Sequence, residues 1–135
     1  HVVVATLHTS TASQTVQRFL KLIPSDRLET AQASLADCLR MILCQRLMFD
    51  EKRGRRFGIH ELLLQYDSTT NLIRRGEYKK LDQELETGFK KGMLTFERSL
   101  EARFGEGWYC KPPEQTGFSA GEIESYFSQE TVRAH

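Results

Sequence analysis

The chain has 135 residues, 27% of them charged and 39% apolar, and a formal net charge of +1. That is the size of one ordinary domain, and the near-neutral balance gives no electrostatic pull toward nucleic acid. No stretch approaches the roughly 20 apolar residues that cross a bilayer.

In chain order, Val2-Val3-Val4-Ala5-Thr6-Leu7 is β-branched and apolar on both faces. Such a run predicts an inner strand of a sheet covered on both sides. The sequence starts at His1 without an initiator Met, a basic leader or a small-residue cleavage site. A fragment of a longer protein is expected, with more sheet upstream.

Thr11-x-x-Gln14 reads as a capping box, and Ala12, Val16, Phe19, Leu20 and Ile23 then recur at helical spacing up to Pro24. Asp26-x-x-Glu29 predicts the cap of a second helix. Leu28, Ala31, Leu35, Leu39, Ile42 and Leu43 would be its buried face, running to about Gln45. Arg46–Phe49, a turn at Asp50–Arg55 and Arg56–Tyr66 read as a hairpin, with Phe57, Ile59 and Leu63 alternating on its second strand. Ser68 is expected to cap a short helix that ends before Gly76, a C′ glycine. Tyr78, Leu81, Leu85 and Phe89 mark a further helix closed by Gly92, and Thr95 caps a last one with Phe96, Leu100 and Phe104 inside. Residues 105–135 are expected to form a tail, with a short helix at 119–128.

Cys38, Cys44 and Cys110 are odd in number and widely spaced, with no CxxC pair. They indicate neither zinc nor a disulfide framework, and they fit a reducing compartment, the cytoplasm. His60 and Glu61 are adjacent on a strand and face opposite sides, so they read as structural.

The stretch "HVVVATLHTSTASQTVQRFLKLIP" resembles the histidine box of PilT/PilU-type pilus retraction ATPases. "SLADCLRMILCQRL" is similar to that family's long helix, "GRRFGIHELLL" to its hairpin strand, "NLIRRG" at 71–76 to its short retraction motif, and "GMLTFERSL" at 92–100 to a later segment. The matches keep their order over residues 1–104. One departure is clear: Ser68-Thr69-Thr70 stand where the family writes Ala-Ile-Arg, so the first arginine of the short motif is absent.

The resemblance implies an α/β fold, the C-terminal part of a RecA-like P-loop ATPase domain. Residues 1–104 would carry the histidine box, the hairpin and C-terminal helices, and 105–135 the tail. The phosphate loop G-x-x-x-x-G-K-[ST] does not occur in this sequence. The chain alone is therefore expected to lack turnover, and the intact protein to use ATP and Mg2+.

By the resemblance, His8 is catalytic, acting near the γ-phosphate, and His1, His8 and Thr9 sense the nucleotide. From spacing alone, His8 equally suits a hydrogen-bonded strand end, and Thr9–Thr11 suit plain helix capping. Asn71, Leu72, Ile73, Arg74 and Gly76 would couple hydrolysis to work, with Leu72 and Ile73 buried and Arg74 outward. The implied partners are identical subunits in a homohexamer, an inner-membrane pilus platform protein and a related ATPase; no nucleic acid is expected. The implied place is the cytoplasm, peripheral at the inner membrane. The task would be type IV pilus retraction, driving twitching motility, or related secretion. The other reading is a non-catalytic helical module that docks on a membrane platform or partner ATPase.

Overall fold

Thr11 begins the first helix as its spacing predicts. Its backbone is extended, and its Oγ1 accepts the N–H of Gln14 at 3.3 Å. The side-chain oxygen of Gln14 accepts from the N–H of Ser10, one residue before the place a capping box uses. The computed structural model describes residues 1–50 and 55–104. Its elements are α1 (Ala12–Lys21), α2 (Leu28–Cys38), β1 (Met41–Asp50), β2 (Arg55–Leu64), α3 (Asp67–Arg74), α4 (Lys80–Thr87) and α5 (Phe96–Phe104). Short 3-10 turns lie at Ser25–Arg27 and Gly88–Lys91. The hairpin turn, the tail at 105–135 and the helix expected at 119–128 fall outside the described residues.

Two expectations about secondary structure are corrected. The run Val2–Leu7 is not a strand: Val2, Val3 and Val4 are 86–93% exposed. A strand needs a neighbour for its backbone N–H and C=O groups, and among the described residues nothing pairs with this run. The second correction concerns α2, which ends at Cys38 rather than near Gln45; Leu39 turns to an extended backbone and β1 starts at Met41. Apolar residues at 39, 42 and 43 fit a helical stripe, but Met41–Phe49 also alternate. Ile42 and Cys44 point inward, while Met41, Leu43, Leu47 and Phe49 stay 38–57% exposed. Pairing with β2 decides between the two periods.

The described residues divide into two compact units. The first holds residues 1–44 and 61–94. There α1 buries Ala12, Val16 and Leu20 at helical spacing and packs against α2 and α4, and α2 packs on α3. Ile42, Leu63, Ile73, Leu81, Leu85 and Met93 complete this core. Leu62 and Leu94 exchange backbone hydrogen bonds of 2.8 and 3.1 Å, so the chain after Gly92 runs along β2. Gly92, at φ +90, lets the 3-10 turn close and release the chain there.

The second unit holds residues 45–60 and, among the described residues, 95–104. Thr95 accepts the N–H of Arg98 at 3.3 Å and so caps α5 as expected. Phe57, Ile59, Phe96 and Leu100 are buried. The Arg46 guanidinium lies 4.1 Å from the centre of the Phe96 ring, and Ser99 Oγ accepts the N–H of His60 at 2.9 Å.

Candidate functional site

The segment with the predicted nucleotide-sensing residues leads directly into α1. His1 and His8 are exposed and Thr9 is half-buried. The N–H of Thr9 donates to the carbonyl of Leu7 at 3.1 Å, closing a tight three-residue turn around His8. Thr9 and Thr15 share a hydroxyl hydrogen bond of 2.7 Å, and Thr15 also donates to the Thr11 carbonyl at 2.8 Å. The hydroxyl of Thr9 is thus engaged within the fold, whereas the His8 ring stands on the surface. His1 lies at the far end of the exposed apolar run and does not share this turn.

A residue read as structural from the sequence meets this segment. The N–H of Ala12, the first residue of α1, donates to Glu61 Oε1 at 2.7 Å, and Glu61 is buried. The first N–H groups of a helix have no partner within it, and the helix dipole favours negative charge there. A partly buried carboxylate so placed contributes up to about 2 kcal/mol. The inward position of Glu61, two residues before the buried Leu63 and two after the buried Ile59, was readable from the alternation of β2. Its partner was not, because 49 residues separate the two.

The motif at 71–76 forms the end of α3. Ile73 is its anchor, 1% exposed, while Leu72 is half-buried and Asn71 and Arg74 are exposed. Gly76, at φ +73, donates to the Ile73 carbonyl at 3.0 Å, and Glu77 donates to the Leu72 carbonyl at 2.9 Å. This is a Schellman ending with glycine at C′. The amide of Gln32 on α2 donates to the carbonyls of Ile73 and Arg74 at 2.9 and 3.0 Å, and the Arg74 guanidinium pairs with Asp37 of α2. The motif is therefore seated on α2 by side-chain contacts at its last turn. Among the described residues no cluster of three metal-ligating side chains occurs.

No protein-family model matches the chain. Similarity to individual proteins is clear. An uncharacterised Escherichia coli protein, YggR, is 39% identical over 107 residues, covering 79% of this chain and 32% of that protein. The type IV pilus ATPase PilU of Pseudomonas aeruginosa is 32% identical, covering 79% of this chain and 28% of PilU. A twitching motility protein of Neisseria gonorrhoeae is 31% identical, covering 79% of this chain and 29% of that protein. The crystal structure of the pilus retraction motor PilT with bound ADP superposes with a TM-score of 0.50 at 27% identity, over 81% of this chain and 32% of PilT. This chain is a homologue of the PilT/PilU-type ATPases. The Legionella pneumophila ATPase DotB shares the fold, with a TM-score of 0.59 at 14% identity over 90% of this chain and 30% of DotB.

The chain spans less than a third of the length of these relatives. Their likeness bears out the fold class expected from the sequence: the helices and hairpin match part of the α/β domain of these ATPases. The run Val2–Leu7 remains the exception, exposed rather than paired.

Proposed function

We propose that this chain is the C-terminal part of the ATPase domain of a pilus-type motor, and that the intact protein couples ATP hydrolysis to type IV pilus retraction or to related secretion. The observation that carries this reading is the 107-residue similarity to the gonococcal twitching motility protein, matched by a similar alignment to PilU. The apolar exposure at Val2–Val4 and along Met41, Leu43, Leu47 and Phe49 supports it, since surfaces of this kind call for cover by further chain.

The residues present do not make a nucleotide site by themselves. The sequence has no phosphate-cradling loop, and Thr9 already spends its hydroxyl on Thr15. His8 is the side chain free to reach outward, and in the intact protein it would meet the γ-phosphate of an ATP held by other segments with Mg2+. A histidine can donate to phosphate in either charge state. His1 and Thr9 would report the nucleotide through the same segment. Asn71, Leu72, Ile73, Arg74 and Gly76 would transmit the stroke through α2, on which α3 rests. We take the working assembly to be a homohexamer in the cytoplasm, bound to an inner-membrane platform protein and a related ATPase.

The test is phosphate release by the full-length protein that contains this chain, beside the 135-residue chain alone. Turnover by the full-length protein and none by the chain is expected. An inert full-length protein, in a strain whose twitching survives deletion of its gene, overturns the motor reading.

A further inference from the structure

Glu61 is 7% exposed on β2, and its Oε1 accepts the N–H of Ala12 at 2.7 Å. Burying a carboxylate is costly unless hydrogen bonds and favourable charge offset the lost water. The start of α1 supplies both, as a free N–H and the positive end of the helix dipole. The same few residues hold the turn around His8. Thr9 is fastened to Thr15, and Thr11 to Gln14 and Ser13. These bonds are local, within the segment and the first turn of α1. Glu61 joins that turn to another element, the strand β2. Without it, the segment bearing His8 keeps its internal shape but loses this bond to the sheet.

We infer that Glu61 is a positioning residue, whose carboxylate pins the first turn of α1 to β2 and so fixes where His8 and Thr9 stand. The inference rests on the reading of His8 given under Proposed function. This role runs through the backbone of Ala12 and requires no contact between Glu61 and the nucleotide. A glutamine at 61 keeps an acceptor of the same length and loses only the charge, whereas an aspartate keeps the charge and falls one methylene short.

The experiment uses the full-length protein with Glu61→Ala, Glu61→Gln and Glu61→Asp, each alone and together with His8→Ala. Glu61→Ala is expected to lower kcat by about tenfold or more, with KM for ATP within about threefold of the parent. Glu61→Gln recovers most of that loss. In the His8→Ala background Glu61→Ala costs less than about twofold further, because both changes remove the same contribution. Hydrogen exchange at residues 9–13 accelerates in Glu61→Ala and Glu61→Asp while exchange in α3 stays as in the parent. Equal losses from Glu61→Ala in both backgrounds, or parental kcat in Glu61→Ala when the parent turns over ATP, overturn the inference and leave the ATPase reading standing. If Glu61→Ala does not fold, Glu61→Asp carries the test, and parental kcat with parental exchange in it overturns the inference. A parent protein without turnover overturns the ATPase reading, and this inference with it.

Discussion

Asp37 on α2 pairs with Arg74 on α3, so the arginine of the 71–76 motif is tied to a neighbouring helix rather than left free on the surface. Both side chains are about half exposed, at 63% and 49%. Exposed pairs contribute about 0–1 kcal/mol, so the fold does not depend on this bridge. Arg74→Glu sets two carboxylates against each other and should lower stability by up to about 1 kcal/mol; the exchange Asp37→Arg with Arg74→Glu should recover it. Thermal unfolding of the three variants checks this. In the full-length protein, Arg74→Glu is expected to keep ATP turnover and to reduce pilus-dependent motility. Normal motility would count against coupling through Arg74.

Ile73, not Leu72, bears the packing of α3. Ile73→Ala should destabilise by about 2–5 kcal/mol, and Leu72→Ala, half-buried, by clearly less. Urea unfolding followed by circular dichroism separates the two. Equal effects would show that the helix is seated differently.

Gly76 holds φ +73 at the end of α3, where a Cβ is strained although it would meet Gln32 and Tyr78 only at ordinary van der Waals distances of 3.6–4.0 Å. Gly76→Ala should cost about 1–2 kcal/mol, and Gly76→Asn less, because asparagine tolerates the left-handed region. A denaturation midpoint unchanged in Gly76→Ala would argue against this Schellman ending.

Glu84 accepts a hydrogen bond from the hydroxyl of Ser68, which is the main cause holding its carboxyl below the ordinary value of 4.5; the ammonium of Lys91, 3.1 Å away, adds to it against partial burial. A carboxyl with a depressed folded pKa binds fewer protons when folded than when unfolded. Its stabilisation is therefore present above about pH 4.5 and is lost as pH falls through the folded value. Ser68→Ala should lower stability at pH 7 and bring its acid unfolding to a shallower slope below pH 4.5. Parallel pH–stability curves for parent and Ser68→Ala would remove Ser68 as the cause.

His8→Ala in the full-length protein should lower ATP turnover by about 10²–10³ while ATP binding changes little, as expected for a contact made mainly in the transition state. Turnover and nucleotide affinity measured on the same preparation test this. Parental turnover would remove His8 from the mechanism.

Helix starts and turn ends are written along the chain wherever local chemistry suffices. Thr11 and Thr95 start helices because their hydroxyls satisfy N–H groups three residues on, and Gly76 and Gly92 end turns because they adopt positive φ. The motif residues 71–76 fall on a short helix by their spacing, and the family resemblance lies in contiguous stretches of the chain. Tertiary structure alone decided three matters. Residues 41–45 satisfy two periods at once, and β2 as a partner chooses the strand. Val2–Leu7 has a strand's composition, but composition supplies no hydrogen-bonding neighbour, so the run stays open among the described residues. Glu61 looks like an ordinary inward position of β2, and only the fold carries it to Ala12, 49 residues away. Caps and turns are settled over a few residues and are written locally. Sheet pairing and the burial of a charge depend on groups distant in the chain, and their energies exist only once those groups meet.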